Sequence, residues 1–562
     1  MKHRLNFFFI LILIHLGGIN SFSQKLPTGP QVLNYFSDAD DKEQPYGLYL
    51  PENFDASKKY PLVIMLHGAG SNHRISLRRV FGKSNAEGES DVEATRYFPE
   101  WKDVEYIVAS PYARGTAGYQ GIPEKDVYDV LADVKRRFNI DEDRIYLTGL
   151  SMGGGGTLWI GLTRPDIWAA IAPVCPAPPA GTMDLAGNAL NIPVHMFQGG
   201  ADPVVKPEGT REWVKQFKDL GVQVKYEEYP GVQHDSWVPA YKDGFIFEWF
   251  KSFKRNLYPE RVLFSSSQYK YDSAYWVHFD KLTPGTLAKI DAKFTGPNKI
   301  EIVTTALDGF TLSLSGHPMF QENKALEVKI DGKKIKSDDG SAFSFSKSKN
   351  KWVSGKVEKQ DNAKGPGAEG PIFDAFSDKH IYVYGTLGTS TFEEIKSRAD
   401  IAIQAANWSA YRGDFLGRIM FFPRVIADKD VRPSDIKSSN LILFGTKETN
   451  SIINQYADKL PIHLNAENQS YGLFYIFPLN GQYVIISSGL PWWTGQKEQG
   501  GFRFTNPIHG SLAEFKDYIL FKGSADNMVS EGRFDNNWKL SAPDSEALNT
   551  SGAVTINQEE GK

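Results

Sequence analysis

One serine in this sequence lies between glycines in a pattern that can make a hydroxyl group reactive. The segment GLSMG, residues 149–153, follows an apolar run at 144–148 and leads directly into a helix-compatible stretch. A sharp turn from a strand into a helix crowds the backbone, so glycines on both sides of the serine relieve clashes that Cβ atoms would make. The pattern predicts that Ser151 is exposed at this turn and acts as a nucleophile. A plain flexible loop is the alternative.

A serine hydroxyl attacks poorly unless a base removes its proton and an acid orients that base. Asp202 follows an apolar strand predicted at 193–197, and His234 follows the next strand, predicted at 224–229. The carboxyl ends of neighbouring parallel strands meet at one edge of a sheet, where sites of this type lie. The chain order of serine, aspartate and histidine also agrees with such a sheet. We therefore expect Ser151, Asp202 and His234 to form a catalytic triad.

These assignments have structural alternatives. Asp202 precedes Pro203, and Asp-Pro is a common turn former. Asp235 is a rival acid, but as the sequence neighbour of His234 it is badly placed to reach Nδ1 of that ring. His195 lies inside a predicted strand and is interpreted as a core residue.

A glycine-containing loop after the first strong strand supplies the remaining element of acyl-transfer chemistry. His67, Gly68 and Ala69 match the H-G-x form, in which the backbone N–H of the third residue points at a developing oxyanion. The second donor would be the N–H of Met152, directly after the nucleophile. His67 is interpreted as a support of this loop, not as a second base. A plain glycine turn at the end of the strand is the alternative.

The residues from 46 to 255 alternate between strands and helices, which predicts a mostly parallel sheet with right-handed crossovers. Several of the predicted strands are apolar throughout, as expected for strands covered on both faces. The helix predicted at 123–138 begins with proline and carries one apolar stripe. The predicted strands are 62–66, 106–110, 144–148, 193–197 and 224–229.

The pattern changes near residue 256. Short alternating strands follow, with a hairpin turn at Asp331-Gly332, and they predict an antiparallel β module. A second strand–helix region then begins, with capping-box spacing from Ser390 to Glu393 and a hairpin turn at Asn480-Gly481. The predicted fold class is α/β, and the predicted divisions are a signal peptide at 1–23, a doubly wound catalytic domain at 24–256, the β module at 257–370, a small α/β domain at 371–540 and a disordered tail at 541–562.

The N-terminus has the order of a secretory signal peptide. Lys2 and Arg4 precede an apolar run at 7–14, and small residues lie at 21 and 23. A buried element of the mature protein is the alternative. We expect export to the periplasm or the medium without a membrane span. Cys175 is the single cysteine, which excludes an intrachain disulfide, and a formal net charge of −4 gives no case for a nucleic-acid partner.

Four segments together resemble the α/β-hydrolase superfamily: PLVIMLHGAGS, DEDRIYLTGLSMGG, GGADPVV and GVQHDSWVPAYKD. More narrowly, they are similar to the secreted esterase and predicted-peptidase group near the prolyl oligopeptidase catalytic domain and the feruloyl and acetyl-xylan carbohydrate esterases. The resemblance covers about residues 45–255 and implies the triad and oxyanion residues named above. The region after the β module loosely resembles a flavodoxin-like ending. No blade-length repeats of a prolyl oligopeptidase propeller are present.

The expected function is a secreted serine esterase that cleaves carboxylic esters, with acyl groups of plant or algal polysaccharide as substrates. A serine peptidase of the prolyl oligopeptidase type is the first alternative, since esters and amides share the acyl-enzyme route. A non-catalytic carbohydrate-binding or scaffolding protein is the second. Trp237, Trp492 and Trp493 are candidate substrate contacts. We expect no cofactor and no metal, and the sequence leaves the oligomeric state open.

Overall fold

The computed structural model describes residues 26–336, 342–357, 363–388, 391–409, 419–495 and 506–557. The predicted signal peptide at 1–23 lies outside these residues. Among the helices in the described ranges, none combines the length and the apolarity needed to cross a membrane.

An eight-stranded sheet forms the first part of the molecule and confirms the predicted α/β-hydrolase class. Its strand order is β1-β2-β4-β3-β5-β6-β7-β8; β1 and β2 pair antiparallel, β2 pairs antiparallel with β4, and the other neighbours are parallel. The central strands are buried throughout because helices cover both faces. The strands are β1 (Gly29–Ser37), β2 (Lys42–Leu50), β3 (Tyr60–Leu66), β4 (Ile107–Pro111), β5 (Ile140–Leu150), β6 (Ala170–Val174), β7 (Val194–Gly199) and β8 (Val224–Tyr229).

Seven helices flank this sheet and create one apolar core on each face. Leu62 and Ile64 of β3 point to one core, whereas Val63 and Met65 point to the other, as alternation along a strand requires. The helices are α1 (His73–Val80), α2 (Asp91–Ala94), α3 (Ile122–Arg137), α4 (Met152–Thr163), α5 (Pro207–Asp219), α6 (Trp237–Ala240) and α7 (Phe245–Phe250).

Two five-stranded sheets follow and enclose a core of their own. Most neighbouring strands are antiparallel, and the Asp331-Gly332 turn joins a hairpin as predicted. One pair, β13 and β15, is parallel, which corrects the expectation of a purely antiparallel module. The strands are β9 (Arg261–Ser266), β10 (Ser273–Ala274), β11 (Val277–Leu282), β12 (Ala288–Gly296), β13 (Lys299–Thr305), β14 (Leu307–Ser313), β15 (Glu327–Ile330), β16 (Lys333–Lys336), β17 (Ala342–Ser348) and β18 (Lys351–Ser354).

A seven-stranded mixed sheet forms the last part, in the order β20-β19-β21-β24-β23-β25-β26. Its first four strands are parallel, and the Asn480-Gly481 hairpin joins β23 to β24 as predicted. The elements are β19 (His380–Tyr384), α8 (Phe392–Ala405), β20 (Arg424–Ala427), α9 (Pro433–Ser438), β21 (Asn440–Phe444), α10 (Ser451–Gln455), β22 (Ile462–Leu464), β23 (Tyr471–Leu479), β24 (Gln482–Gly489), α11 (Pro507–Gly510), β25 (Tyr518–Lys522), β26 (Ser524–Gly532), α12 (Ala542–Thr550) and β27 (Val554–Ile556).

The C-terminal tail is ordered where the structure describes it, so the prediction of disorder for residues 541–562 is wrong as far as residue 557. Ser541 caps α12, and β27 pairs antiparallel with β22. Leu548, Ala553 and Val554 are buried in the core around the seven-stranded sheet. These three apolar residues therefore anchor the segment, although its polar composition and its lack of a regular apolar pattern are typical of a disordered tail.

A buried ionic cluster of the first part contacts the third part of the chain. The side chain of Arg114, in the loop after β4, is 0% exposed and lies 2.6 Å from Asp40 and 2.7 Å from Asp126. The backbone carbonyl of Arg114 accepts from the N–H of Met420, and its guanidinium lies 5.5 Å from the ring of Phe421. Asp40 and Asp126 compensate the buried charge of Arg114, and the contacts with Met420 and Phe421 join the third part to this cluster.

Two buried histidines make the third part sensitive to acid. Burial lowers the pKa of His380 to about 4 and that of His509 to about 3. Below pH 6.5 these two histidines therefore bind protons in the unfolded chain but remain neutral in the folded chain. The free energy of unfolding consequently falls as the pH decreases. At pH 5.5 we expect a loss of about 1.4 kcal/mol per histidine relative to neutral pH.

Urea unfolding at pH 7.5 and pH 5.5 measures this loss. The variant His380→Phe removes one titrating group from an aromatic cluster with Tyr382 and Trp408, so its unfolding free energy is expected to depend less on pH. Equal stability of the unaltered protein at the two pH values would contradict the argument.

Candidate active site

The predicted turn around Ser151 connects β5 to α4. Ser151 has φ 55° and ψ −116°, a backbone conformation that residues other than glycine rarely adopt. Its N–H donates to the carbonyl of Val174 in the neighbouring strand. The strained turn projects the hydroxyl from the carboxyl edge of the sheet, which is the arrangement expected of a nucleophile elbow.

Glycines after Ser151 allow α4 to approach the sheet. A Cβ atom on Gly153 would lie 2.2 Å from the carbonyl oxygen of Leu66, and one on Gly155 would lie 2.0 Å from that of Ala177. Both contacts are with backbone atoms, so a change of side-chain rotamer could not relieve the clash that a Cβ atom would make. The glycine run thus serves close packing and is not a flexible spacer.

The structure brings the three predicted triad residues together. Nε2 of His234 lies 3.0 Å from Oγ of Ser151, and Nδ1 of the same ring lies 2.8 Å from Oδ2 of Asp202. Both distances are within hydrogen-bonding range, and the two ring nitrogens face different partners. This arrangement can pass a proton from the hydroxyl to the imidazole while the carboxylate fixes the ring.

Asp202 is held in a buried turn. It is 3% exposed, and its Oδ1 accepts from the N–H groups of Val204 and Val205 at 2.8 and 2.9 Å. Backbone hydrogen bonds also connect this turn to the His234 loop, since Ala201 donates to the carbonyl of Val232. Asp235, the rival acid, is exposed.

Sequence reasoning missed one side chain that contacts the triad. Gln198, near the end of β7, is fully buried, and its Nε2 lies 3.2 Å from Oδ2 of Asp202. A glutamine directly after a strand predicted to be buried was the available signal, because a buried amide needs partners.

The loop after β3 faces the nucleophile turn. Among the described residues, neither the N–H of Ala69 nor that of Met152 has a protein acceptor, which leaves both available to a ligand oxygen. The ring of His67 is buried, with its nitrogens 2.8 Å from the carbonyl oxygens of Gly68 and Tyr112. Burial lowers the pKa of His67, because the charged imidazolium is disfavoured away from water.

The candidate substrate contacts have different outcomes. Trp237 begins α6 beside the triad, with its ring 5.5 Å from that of His234 in an edge-to-face arrangement. Trp492 is 0% exposed, stacks on Phe474 and donates to the carbonyl of Ile508, and the half-buried Trp493 packs against it. The expectation that Trp492 is an exposed contact is therefore wrong, because Trp492 lies in the core of the seven-stranded sheet, whereas Trp493 packs against that core and remains partly exposed.

Cys175 lies behind the triad. Its Sγ, a carboxylate oxygen of Asp202 and a ring nitrogen of His234 lie within 4.8 Å of one another. Burial raises the pKa of the Cys175 thiol to about 12, so the thiol is protonated and a poor metal ligand. Asp202 and His234 are moreover bonded to each other, which favours proton transfer over metal binding at this position.

A cavity of about 380 Å³ lies elsewhere in the hydrolase domain. Pro61 and Tyr106, at the starts of β3 and β4, line it, whereas Ser151 follows the carboxyl end of β5. The cavity is thus at the opposite edge of the sheet, away from the triad residues.

Comparisons with known proteins agree with the fold. Residues 37–183 match the Esterase family, described as "Putative esterase". Dipeptidyl-peptidase 5 of Aspergillus fumigatus is 31% identical over 124 residues, which are 20% of this chain and 15% of the peptidase. The chain thus spans less than a fifth of the length of this relative.

Solved structures also show similarity to part of this chain. A thermostable esterase is 26% identical with a TM-score of 0.34, covering 40% of this chain and 63% of its own. A ferulic acid esterase from the anaerobic fungus Anaeromyces mucronatus is 19% identical with a TM-score of 0.30, covering 41% and 92%. The eight-stranded sheet and the family match together show that the first part of this chain has the α/β-hydrolase fold.

Proposed function

We propose that this protein is a serine esterase in which Ser151, His234 and Asp202 form the catalytic triad. The observation that carries the proposal is the continuous relay from Oγ of Ser151 through both ring nitrogens of His234 to Oδ2 of Asp202. The match of residues 37–183 with the Esterase family supports the same class of reaction.

The reaction proceeds in two steps. Oγ of Ser151 attacks the ester carbonyl while Nε2 of His234 takes the hydroxyl proton, and the buried carboxylate of Asp202 stabilises the imidazolium. The N–H groups of Ala69 and Met152 stabilise the oxyanion, each by about 3 kcal/mol. The imidazolium then protonates the departing alcohol, and a water molecule activated by His234 releases the acid and restores Ser151.

The proposed substrates are acyl esters of plant or algal polysaccharide, handled by a protein exported through the N-terminal segment 1–23. Trp237 lies beside the triad and offers an aromatic surface to an aryl acyl group or a sugar ring. A serine peptidase is the second candidate, favoured by the similarity to dipeptidyl-peptidase 5. The triad serves both, since esters and amides form the same acyl-enzyme.

A fluorophosphonate label followed by peptide mapping tests the proposed nucleophile. We expect one modification, on Ser151, because the relay activates this hydroxyl alone. Protein unfolded in urea is the control and should remain unlabelled. A label on a different serine, or none on the folded protein, would refute the assignment.

A substrate panel separates the two candidate functions. Nitrophenyl acetate and methyl ferulate report esterase activity, and proline-linked peptides report peptidase activity. We expect turnover of the esters with little cleavage of the peptides. Peptide kcat/KM values above those of the esters would assign the triad to a peptidase instead.

A further inference from the structure

A buried amide contacts the acid of the triad from the side opposite to solvent. Nε2 of Gln198 lies 3.2 Å from Oδ2 of Asp202, the same oxygen that faces Nδ1 of His234 at 2.8 Å. The amide also donates to the carbonyl of Val205 at 2.9 Å, which closes the turn that contains Asp202. Gln198 therefore contacts both the carboxylate and the backbone that carries it.

A second buried group fixes the orientation of this amide. Oγ1 of Thr210, on α5, donates to Oε1 of Gln198 at 2.8 Å, and Thr210 is 1% exposed. The carboxylate of Asp202 and the carbonyl of Val205 can only accept hydrogen bonds, so the amide nitrogen faces them and the amide oxygen faces Thr210, whose hydroxyl holds it there. The opposite orientation would place two oxygens against each other in a buried position.

We propose that Gln198 is a positioning residue of the esterase reaction and that Thr210 holds it in place. This inference rests on the proposed function. It extends the relay by two members, from Ser151 through His234 and Asp202 to Gln198 and Thr210. The two added members lie on β7 and α5, so rigid elements align the acid.

The amide has two physical effects on the triad. Its hydrogen bond withdraws charge from Oδ2 of Asp202, which limits how strongly the carboxylate favours the imidazolium form of His234. It also restricts rotation of the carboxylate, so Oδ2 stays directed at Nδ1. Cys175 and Asp235 are the neighbouring titratable groups, and the substitutions below leave both unchanged.

The variant Gln198→Met removes the amide with little change in size. We expect kcat/KM for nitrophenyl acetate to fall about 10-fold to 100-fold, with KM within about twofold, because the lost contact aligns the acid and does not bind substrate. The acidic limb of the kcat/KM profile should move to higher pH, because the Asp202 carboxylate without the hydrogen bond from Gln198 stabilises the imidazolium of His234 more strongly. A merely structural role would leave this midpoint in place.

Two substitutions of Thr210 provide a milder test and its matched control. Thr210→Val removes the hydroxyl without a change of shape, and Thr210→Ser keeps the hydroxyl. We expect Thr210→Val to shift the pH profile in the direction of Gln198→Met, though less far, and Thr210→Ser to resemble the unaltered enzyme. This pair decides the question if Gln198→Met fails to fold, as judged by its melting temperature.

The outcomes separate this proposal from the triad assignment. Folded Gln198→Met and Thr210→Val variants with unaltered kcat/KM and pH midpoint would overturn the positioning role, while an inactive Ser151→Ala variant would leave the triad standing. Turnover that survives in Ser151→Ala would overturn the proposed function itself.

Discussion

Ser151→Ala is expected to lower kcat for nitrophenyl acetate by about four to six orders of magnitude. The methyl group cannot attack the carbonyl, and His234 is left without a hydroxyl to activate. Since alanine has the same Cβ atom as serine, the strained backbone at φ 55° gains no new clash. The measurement is steady-state turnover of purified protein, with the melting temperature as evidence of folding.

A matched control is Ser57→Ala, which alters an exposed serine in a turn far from the triad in sequence. Its turnover should equal that of the unaltered protein. If Ser151→Ala kept more than about one tenth of the activity while remaining folded, a different nucleophile would have to be sought.

Asp202→Asn is expected to have the second-largest effect, a decrease in kcat of about 10⁴-fold near pH 7. An asparagine has almost the same shape, but the N–H groups of Val204 and Val205 retain its oxygen, so its NH₂ group donates to Nδ1 of His234. The ring then adopts the wrong tautomer, with no lone pair at Nε2 to receive the proton of Ser151. The imidazolium also loses the buried charge that stabilises it.

Asp235→Asn is the matched control for this substitution. It removes one carboxylate from the same loop, at an exposed position adjacent to His234. We expect its kcat to stay within about twofold of the unaltered protein, because an exposed carboxylate contributes little to a neighbouring charge. Equal losses in Asp202→Asn and Asp235→Asn would show that the identity of the acid is wrong.

The sequence predicts the hydrolase region well because the candidate catalytic residues lie directly after the ends of strands. Each triad residue follows a strand of the same sheet, and parallel strands carry the three side chains to one edge; β5 and β7 are largely buried, whereas β8 is a partly exposed strand. The short spacing of GLSMG also specifies the turn. Such local signals do not depend on where the rest of the chain lies.

Predictions that depend on tertiary packing succeed less well. Trp492 lies in a turn-rich stretch, which favoured exposure, yet its ring stacks on Phe474 of a strand that is distant from the turn in the sequence. The capping box of α8 pairs Thr391 with Glu394, one residue later than predicted, because the two spacings overlap in this sequence. Gln198 was missed because a single polar residue in a strand does not reveal its partner.

The ionic cluster around Arg114 has a consequence for how the protein comes apart. A hydrolase fragment that ends before residue 419 would lack the backbone partner Met420 and the ring of Phe421. Water would then reach the guanidinium of Arg114 and the carboxylates of Asp40 and Asp126, which are buried in the intact chain. The cooperative unit is therefore longer than the catalytic fold. Heating should melt the first and third parts in a single transition, and a limited protease should find no stable catalytic core to release.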